Sequence, residues 1–302
     1  MKKFQRIIVA LDNTDFDDAL IQYVSRFTAL TMVKKLYFVY VERNLELPKD
    51  LKVTYKDVHG KEIPRDELLR KVMKQKVEEN FTRKGNATVE VEVLEGSPLE
   101  KLLHWIKVKE ADLMILGNKE MSDGSGVLAR KVARNANCNL LFVPETAAKK
   151  SFEKLLVPVD FSDYSKVALE SALDIAKERD GGKPVTLTAY HVFDVPMQGY
   201  PTINFNYETF TQSVLAFKIE AFKKYISQFD LGNIEVKDAY QENDPPGIAK
   251  HVNRYAQEHE MDLIVLGAQG HSFFERVLLG SVAEKLVTID KGIPSLIVRK
   301  ES

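Results

Sequence analysis

Cysteine is almost missing from these 302 residues: Cys138 stands alone. A single thiol cannot build an internal disulfide framework, and it fits a reducing compartment. No apolar stretch reaches the length of a membrane span. The opening run "RIIVAL" stops at Asp12, too soon for a secretory core, and no small-residue cleavage site follows it. Neither sign of charge prevails, since 43 Lys and Arg face 44 Asp and Glu for a net charge of -1. Nothing therefore draws the whole molecule to nucleic acid or to an anionic membrane. The sequence has no Gly-Lys-Ser/Thr Walker loop and no G-x-G-x-x-G fingerprint. It also has no paired Cys or His at zinc spacing and no acidic metal cluster. The expectation is a cytoplasmic protein with neither nucleic acid nor membrane as a partner.

What the sequence does have is repetition. "RIIVALDNTD" near the start resembles "KLLVPVDFSD" at Lys154, so Asp12 aligns with Asp160. "ADLMILG" at Ala111 resembles "MDLIVLG" at Met261, and "CNLLFVP" at Cys138 resembles "IPSLIVR" at Ile293. Three matches in the same order imply two copies of one domain, with a period far too long for a solenoid. The join falls in "ETAAKKSF", from Glu145 to Phe152. This places the domains at 1–146 and 152–302.

In each copy, short apolar runs alternate with amphipathic stretches. The second copy has five such runs: "KLLVPV", "VTLTAYHV", "IEVKDAY", "DLIVLG" and "PSLIVR". Helices are expected from Ser162, which is a plausible N-cap, and over "NYETFTQSVLAFKIEAFKKYISQF". Two more are expected over "PPGIAKHVNRYAQEHE", with both prolines in its first turn, and over "GSVAEKLVTID". Strand–helix alternation with apolar strands implies an α/β fold, a parallel sheet covered on both faces. Ligands of such sheets bind beyond the strand C-termini, where the winding reverses. Asp160, His191 to Asp194 and Gly267 onward all follow apolar runs.

"GAQGHSFFERVLLGS" runs from Gly267 to Ser281. A glycine after a strand lets the chain turn and bring backbone N–H groups to a ligand, and Gly270 can do the same. Gly280 and Ser281 open a helix, whose N-terminus suits an anion. Ser281 adds a hydroxyl. The same residues also read as a simple turn and a helix cap. Asp160 reads either as a ligand group or as a helix N-cap, a role open to Ser162 as well.

The whole pattern resembles the universal stress protein family. The family's ATP signature, G-x2-G-x9-G-S/T, is matched by Gly267, Gly270, Gly280 and Ser281. The resemblance spans nearly the whole chain, twice. It implies two tandem Rossmann-like domains of the adenine nucleotide alpha hydrolase-like type, each a five-stranded parallel sheet. It implies that Pro158, Val159 and Asp160 bind adenine, and that Val192 lines the adenine pocket and ribose. Leu266 and Gly267 would form the ribose and phosphate turn, and Gly270, Gly280, Ser281 and Val282 the phosphate contacts. The implied ligand is ATP, or AMP or ADP. Mg²⁺ is an expected companion of the phosphates, although no dedicated ligand for it is evident. The family also pairs domains through the edge of the last strand. "NLLFVP" and "SLIVRK" are therefore expected to pair within the chain, and a homodimer is a further option.

The first copy departs from the signature. Gly117 is kept, but Glu120 replaces the second glycine, the segment is shorter, and Val127 stands where Ser281 stands. Nucleotide is expected in the second domain only. His191 and His271 border the expected pocket, and each reads as structural. Cys138 reads as buried, and Trp105 as core or partly exposed. The expected function is a nucleotide-dependent stress-response or signalling module with no catalytic residues. The alternatives are a protein-interaction scaffold and a slow ATP hydrolase.

Overall fold

The computed structural model describes residues 4–43, 55–56, 62–82, 87–119, 125–147, 150–177, 184–196, 206–270, 279–289 and 292–300. The chain divides into two compact units between Lys150 and Ser151. The first contains β1 (Arg6–Leu11), α1 (Phe16–Phe27), β2 (Lys35–Glu42), the two-residue strands β3 (Tyr55–Lys56) and β4 (Glu62–Ile63), and α2 (Arg65–Asn80). It continues with β5 (Thr88–Glu95), α3 (Pro98–Val108), β6 (Leu113–Asn118), α4 (Ser125–Asn135) and β7 (Asn139–Pro144). The second contains β8 (Lys154–Pro158), α5 (Asp163–Lys177), β9 (Thr186–Phe193), α6 (Tyr207–Ile226), β10 (Glu235–Glu242), α7 (Ile248–Glu258), β11 (Leu263–Gly267), α8 (Ser281–Ile289) and β12 (Ser295–Val298).

Each unit has a Rossmann-like sheet. The first runs β7-β6-β1-β2-β5 and every pairing is parallel. The second runs β12-β11-β8-β9-β10, again all parallel. The opening strand of each unit is central. The chain winds to one side of it, returns, and winds to the other, so the direction reverses between β1 and β6 and between β8 and β11. The central strands are apolar along their length because helices cover both faces. Ile7, Ile8 and Val9 in β1 and Leu155, Leu156 and Val157 in β8 are fully buried. Neighbouring side chains of β9 show the two faces directly, since a strand alternates its side chains. Tyr190 stacks on Tyr255 of α7, whereas His191 lies against Phe161, which packs on Tyr225 of α6.

The duplication extends to single atoms. Asp112 accepts the backbone N–H groups of Gln5 and Arg6 at the entry to β1. Asp262 accepts those of Glu153 and Lys154 at the entry to β8. Glu110 and Glu260 turn into β6 and β11 with φ of 48° and 52°. Cys138 is buried. Trp105 is half-buried, edge-on to Tyr37, with the Lys109 ammonium 4.8 Å from its ring.

Local chemistry sets the helix ends. Ser162 caps α5, its Oγ accepting the Ser165 N–H at 3.2 Å. Asn206 caps α6 through Thr209 N–H. The α7 region corrects the sequence expectation, because both prolines precede the helix rather than entering its first turn. Gly247 has φ of 95° and gives its N–H to Asp244. Residues 244–247 thus form a turn, and helical geometry can start only at Ile248.

Candidate functional site

A cavity of about 270 Å³ opens at the C-terminal end of the second sheet, at its reversal point. The structure brings all ten residues singled out by sequence onto its wall. Pro158, Val159 and Asp160 come from the end of β8, Val192 from β9, and Leu266 and Gly267 from β11. Gly270 comes from the following loop, and Gly280, Ser281 and Val282 from the start of α8. Ala268, Gln269 and Ala283 join them from beside the motif residues, and sequence reasoning missed four more, Ser165, Tyr190, Ile248 and Val252. These are ordinary helix and strand positions without a motif, and only the fold selects them. His271 and most of the loop after Gly270 lie outside the described residues.

Asp160 sits at the reversal point. Its Oδ1 accepts the backbone N–H of Ser162 at 3.0 Å and the Ser162 hydroxyl at 2.6 Å. Capping of α5 therefore falls to Ser162, and Asp160 closes the turn in front of it. The three glycines have different reasons to be glycine. A Cβ on Gly267 would stand 2.7 Å from the backbone of Tyr164 in α5, so this residue lets the helix approach the strand end. A Cβ on Gly270 would stand 2.6 Å from Asp160 Oδ2, inside the cavity wall. A Cβ on Gly280 would crowd the backbone of Ala268 and Gln269 at 3.3 and 3.2 Å. Gly280 gives its N–H to Ala268 at 2.7 Å, so that N–H holds the loop and is not offered to an anion. The N–H groups that follow it in the first turn of α8 have no partner within the helix. With the Ser281 hydroxyl they form the donor-rich end of the cavity, a setting that suits an anion.

Among the described residues no lysine or arginine lines this cavity, and Asp160 is its one carboxylate. Phosphate oxygens would be held by backbone N–H groups, the helix terminus and Ser281, and the glycine cradle fits them. Asp160 already uses Oδ1, which leaves little protein ligation for Mg²⁺. A magnesium ion here would be held through phosphate oxygens and water.

The first unit has a cavity of about 290 Å³ at the equivalent place. Ala10, Leu11, Asp12, Val41, Leu116, Gly117 and Leu128 line it, in the positions of Pro158, Val159, Asp160, Val192, Leu266, Gly267 and Val282. Its polar wall differs, since Asp17, Glu42 and Arg43 line it, and Lys119 acts on Asp12 from outside the lining. Lys119, one residue before Glu120, sets its ammonium 2.7 Å from Asp12 Oδ2 and also bonds the Thr14 hydroxyl. Burial pulls the Asp12 carboxyl upward, but hydrogen bonds from Lys119 and Thr14 and the Lys119 charge outweigh it and hold Asp12 below its usual range. Asp17 replaces Ser165 and is buried, pushed up to about 6 by desolvation. Val127 is exposed where Ser281 lines the second cavity. Glu120 lies outside the described residues.

Comparison with known proteins agrees with this architecture. The model of the universal stress protein family matches residues 3–144 and again 151–289. A universal stress protein of Methanocaldococcus jannaschii is 32% identical over 150 residues, which covers 49% of this chain and 83% of that protein. One from Mycobacterium tuberculosis is 24% identical over 311 residues, covering 98% of this chain and 96% of that one. The crystal structure of a universal stress protein from Archaeoglobus fulgidus covers 99% of this chain and 98% of its own, with a TM-score of 0.59 at 18% identity. That likeness shows a shared fold. Since the family model matches twice, in order and over most of the residues, the chain belongs to the universal stress protein family in its tandem form.

Proposed function

We propose that the second domain binds ATP or a related adenine nucleotide, and that the protein acts as a nucleotide-dependent stress-response or signalling module. One observation carries this reading. Ten residues from four separate stretches of sequence line one cavity, and the Cβ missing from Gly270 would project against its wall. The base and ribose would lie against Pro158, Val159 and Val192, and the phosphates against Ser281 and the start of α8. Apolar walls with a few convergent polar groups suit a heterocycle carrying an anionic tail.

The test is calorimetry of the full chain with ATP, ADP, AMP and cAMP, each with and without Mg²⁺, beside thermal melting. One bound nucleotide per chain and a melting temperature that rises with ligand concentration are expected. Gly270→Glu, which copies the first domain, should remove both signals. No heat and no rise at millimolar nucleotide would leave a protein-interaction scaffold as the reading. Steady release of ADP or AMP well above the uncatalysed rate would instead indicate a hydrolase.

A further inference from the structure

On the face of the second sheet opposite α7, three rings stand behind the cavity wall. His191 is buried, and its Nδ1 lies 2.7 Å from the carbonyl oxygen of Val159. A carbonyl only accepts, so Nδ1 carries the proton and Nε2 holds the lone pair. Nε2 is buried and, among the described residues, has no hydrogen-bond partner. The ring lies 4.6 Å from Phe161, and Phe161 packs edge-on against Tyr225 at 5.4 Å. Tyr225 reaches the hydroxyl of Ser165, which bonds the carbonyl of Ser162. The chain of contacts thus surrounds the turn that carries Asp160.

That turn is strained. Phe161 has φ of 65°, a left-handed conformation unusual for a bulky residue. Its counterpart Asn13 has φ of 59°, but asparagine tolerates this region. The first domain also lacks the histidine. Tyr40 stands at its place and turns its hydroxyl to Glu42 at 3.0 Å. There the strand pairing continues to Leu11 opposite Tyr40. In the second domain it stops at Pro158 opposite Tyr190, and the histidine ring takes up the next carbonyl, that of Val159.

We propose that His191 is a positioning residue for the base-binding end of the cavity, and that Phe161 is its partner. The imidazole N–H fixes the Val159 peptide, and the Phe161 ring, held between His191 and Tyr225, fixes the Asp160 turn in its strained form. Neither side chain lines the cavity. Burial, with the Lys218 charge adding to it, keeps the ring neutral by lowering its pKa, against the Val159 hydrogen bond and the nearby Asp160 and Asp194. This inference rests on the second cavity being a nucleotide site.

The experiment compares His191→Asn, whose amide can replace the Nδ1 donor, with His191→Leu, which cannot. Nucleotide titration of the full chain should show His191→Leu weaker by roughly tenfold or more, since a misplaced wall residue is costly. His191→Asn should recover most of that loss. A ligand-free reading separates the two ideas. In nitrogen-15 spectra His191 should show a protonated Nδ1 and a bare Nε2. The Asp160 and Ser162 amides should shift in His191→Leu but stay in place in His191→Asn. If the wild type binds no nucleotide, the nucleotide reading fails and these amide shifts still decide the positioning role. Equal loss in both variants, or unmoved amides in His191→Leu, would overturn it. Should His191→Leu fail to fold, Phe161→Gly serves instead. It frees the φ angle and removes the ring, so weaker binding supports the clamp and unchanged binding refutes it.

Discussion

Asp160 Oδ2 stands 2.6 Å from the point where any side chain on Gly270 would begin. The carboxylate cannot simply swing away, because its other oxygen is bonded to the Ser162 N–H and hydroxyl. Gly270→Ala must push Asp160 while leaving the rest of the core alone. The expected outcome is a small stability loss, about 1 kcal/mol, with a disproportionate loss of nucleotide affinity. Urea titration and calorimetry on the same preparation check the pair of values. A variant that binds normally would show that the Asp160 position is irrelevant to the ligand.

Gly267 makes the opposite prediction. A Cβ there meets Tyr164 backbone carbon and oxygen at 2.7 Å, and backbone inside a helix cannot rotate aside. Gly267→Ala should therefore cost about 2–3 kcal/mol of second-domain stability, as overpacking does. In its twin Gly117, the obstacle is the edge of the Phe16 ring at 2.5 Å, a side chain that can turn. Gly117→Ala should cost less, about 1 kcal/mol. Hydrogen exchange of β11 and β6 in the two variants reads each domain separately. Equal effects would mean that the approach of α5 to the strand end is not what requires glycine.

These glycines show how far the sequence could be read. Their spacing was visible because a turn after a strand and a helix start leave a linear mark. So did the paired aspartates Asp12 and Asp160, each ending an apolar run, and the cap at Ser162. Ser165, Ile248 and Val252 left no mark, because a helix residue becomes a cavity wall only when its helix is docked. The separate duties of Gly267 and Gly270 were equally hidden, since one is set by Tyr164 and the other by Asp160. The contact of Lys119 with Asp12 spans 107 residues and joins two elements that only the parallel sheet brings together. The start of α7 was misread because proline suits both a first helical turn and the turn before it.

Lys119 acts on the first cavity through Asp12, one of its lining residues. Its ammonium bridges Asp12 and Thr14 across the reversal point, with only 10% of the side chain exposed. Lys119→Gln copies Gln269 and takes the positive charge away from Asp12, which keeps its bond from the Thr14 hydroxyl. The Asp12 carboxyl should then titrate at a higher pH, because burial, its largest influence, already acts upward. On the proposed function, nucleotide stoichiometry should stay at one per chain, since Asp17 remains in the lining of the first cavity. Carbon-13 titration of the Asp12 carboxyl and calorimetry test both halves. A second equivalent of bound ATP in this variant would show that Lys119 alone closes the first site.

Asp17 predicts that acid strengthens the first domain locally. Desolvation pushes its carboxyl up to about 6, against hydrogen bonding from the Asp12 N–H and the Lys76 charge 3.6 Å away, while the Asp12 charge adds to the rise. The ordinary value is 3.8, so the folded state binds the proton more tightly than the unfolded one. The stabilising contribution is then complete below about pH 4 and is lost as the pH rises through about 6. A shift of about two units corresponds to roughly 3 kcal/mol. His191 works in the other direction. Burial lowers its pKa, so its contribution is present above its ordinary value of 6.5 and is lost as the pH falls. Exchange of β1 and β2 amides should therefore slow between pH 7 and pH 5 relative to β8 and β9, after correction for intrinsic rates. Asp17→Asn keeps the oxygen that accepts the Asp12 N–H and removes the titration, so the β1 and β2 profile should flatten. An unchanged profile in Asp17→Asn would place the proton elsewhere.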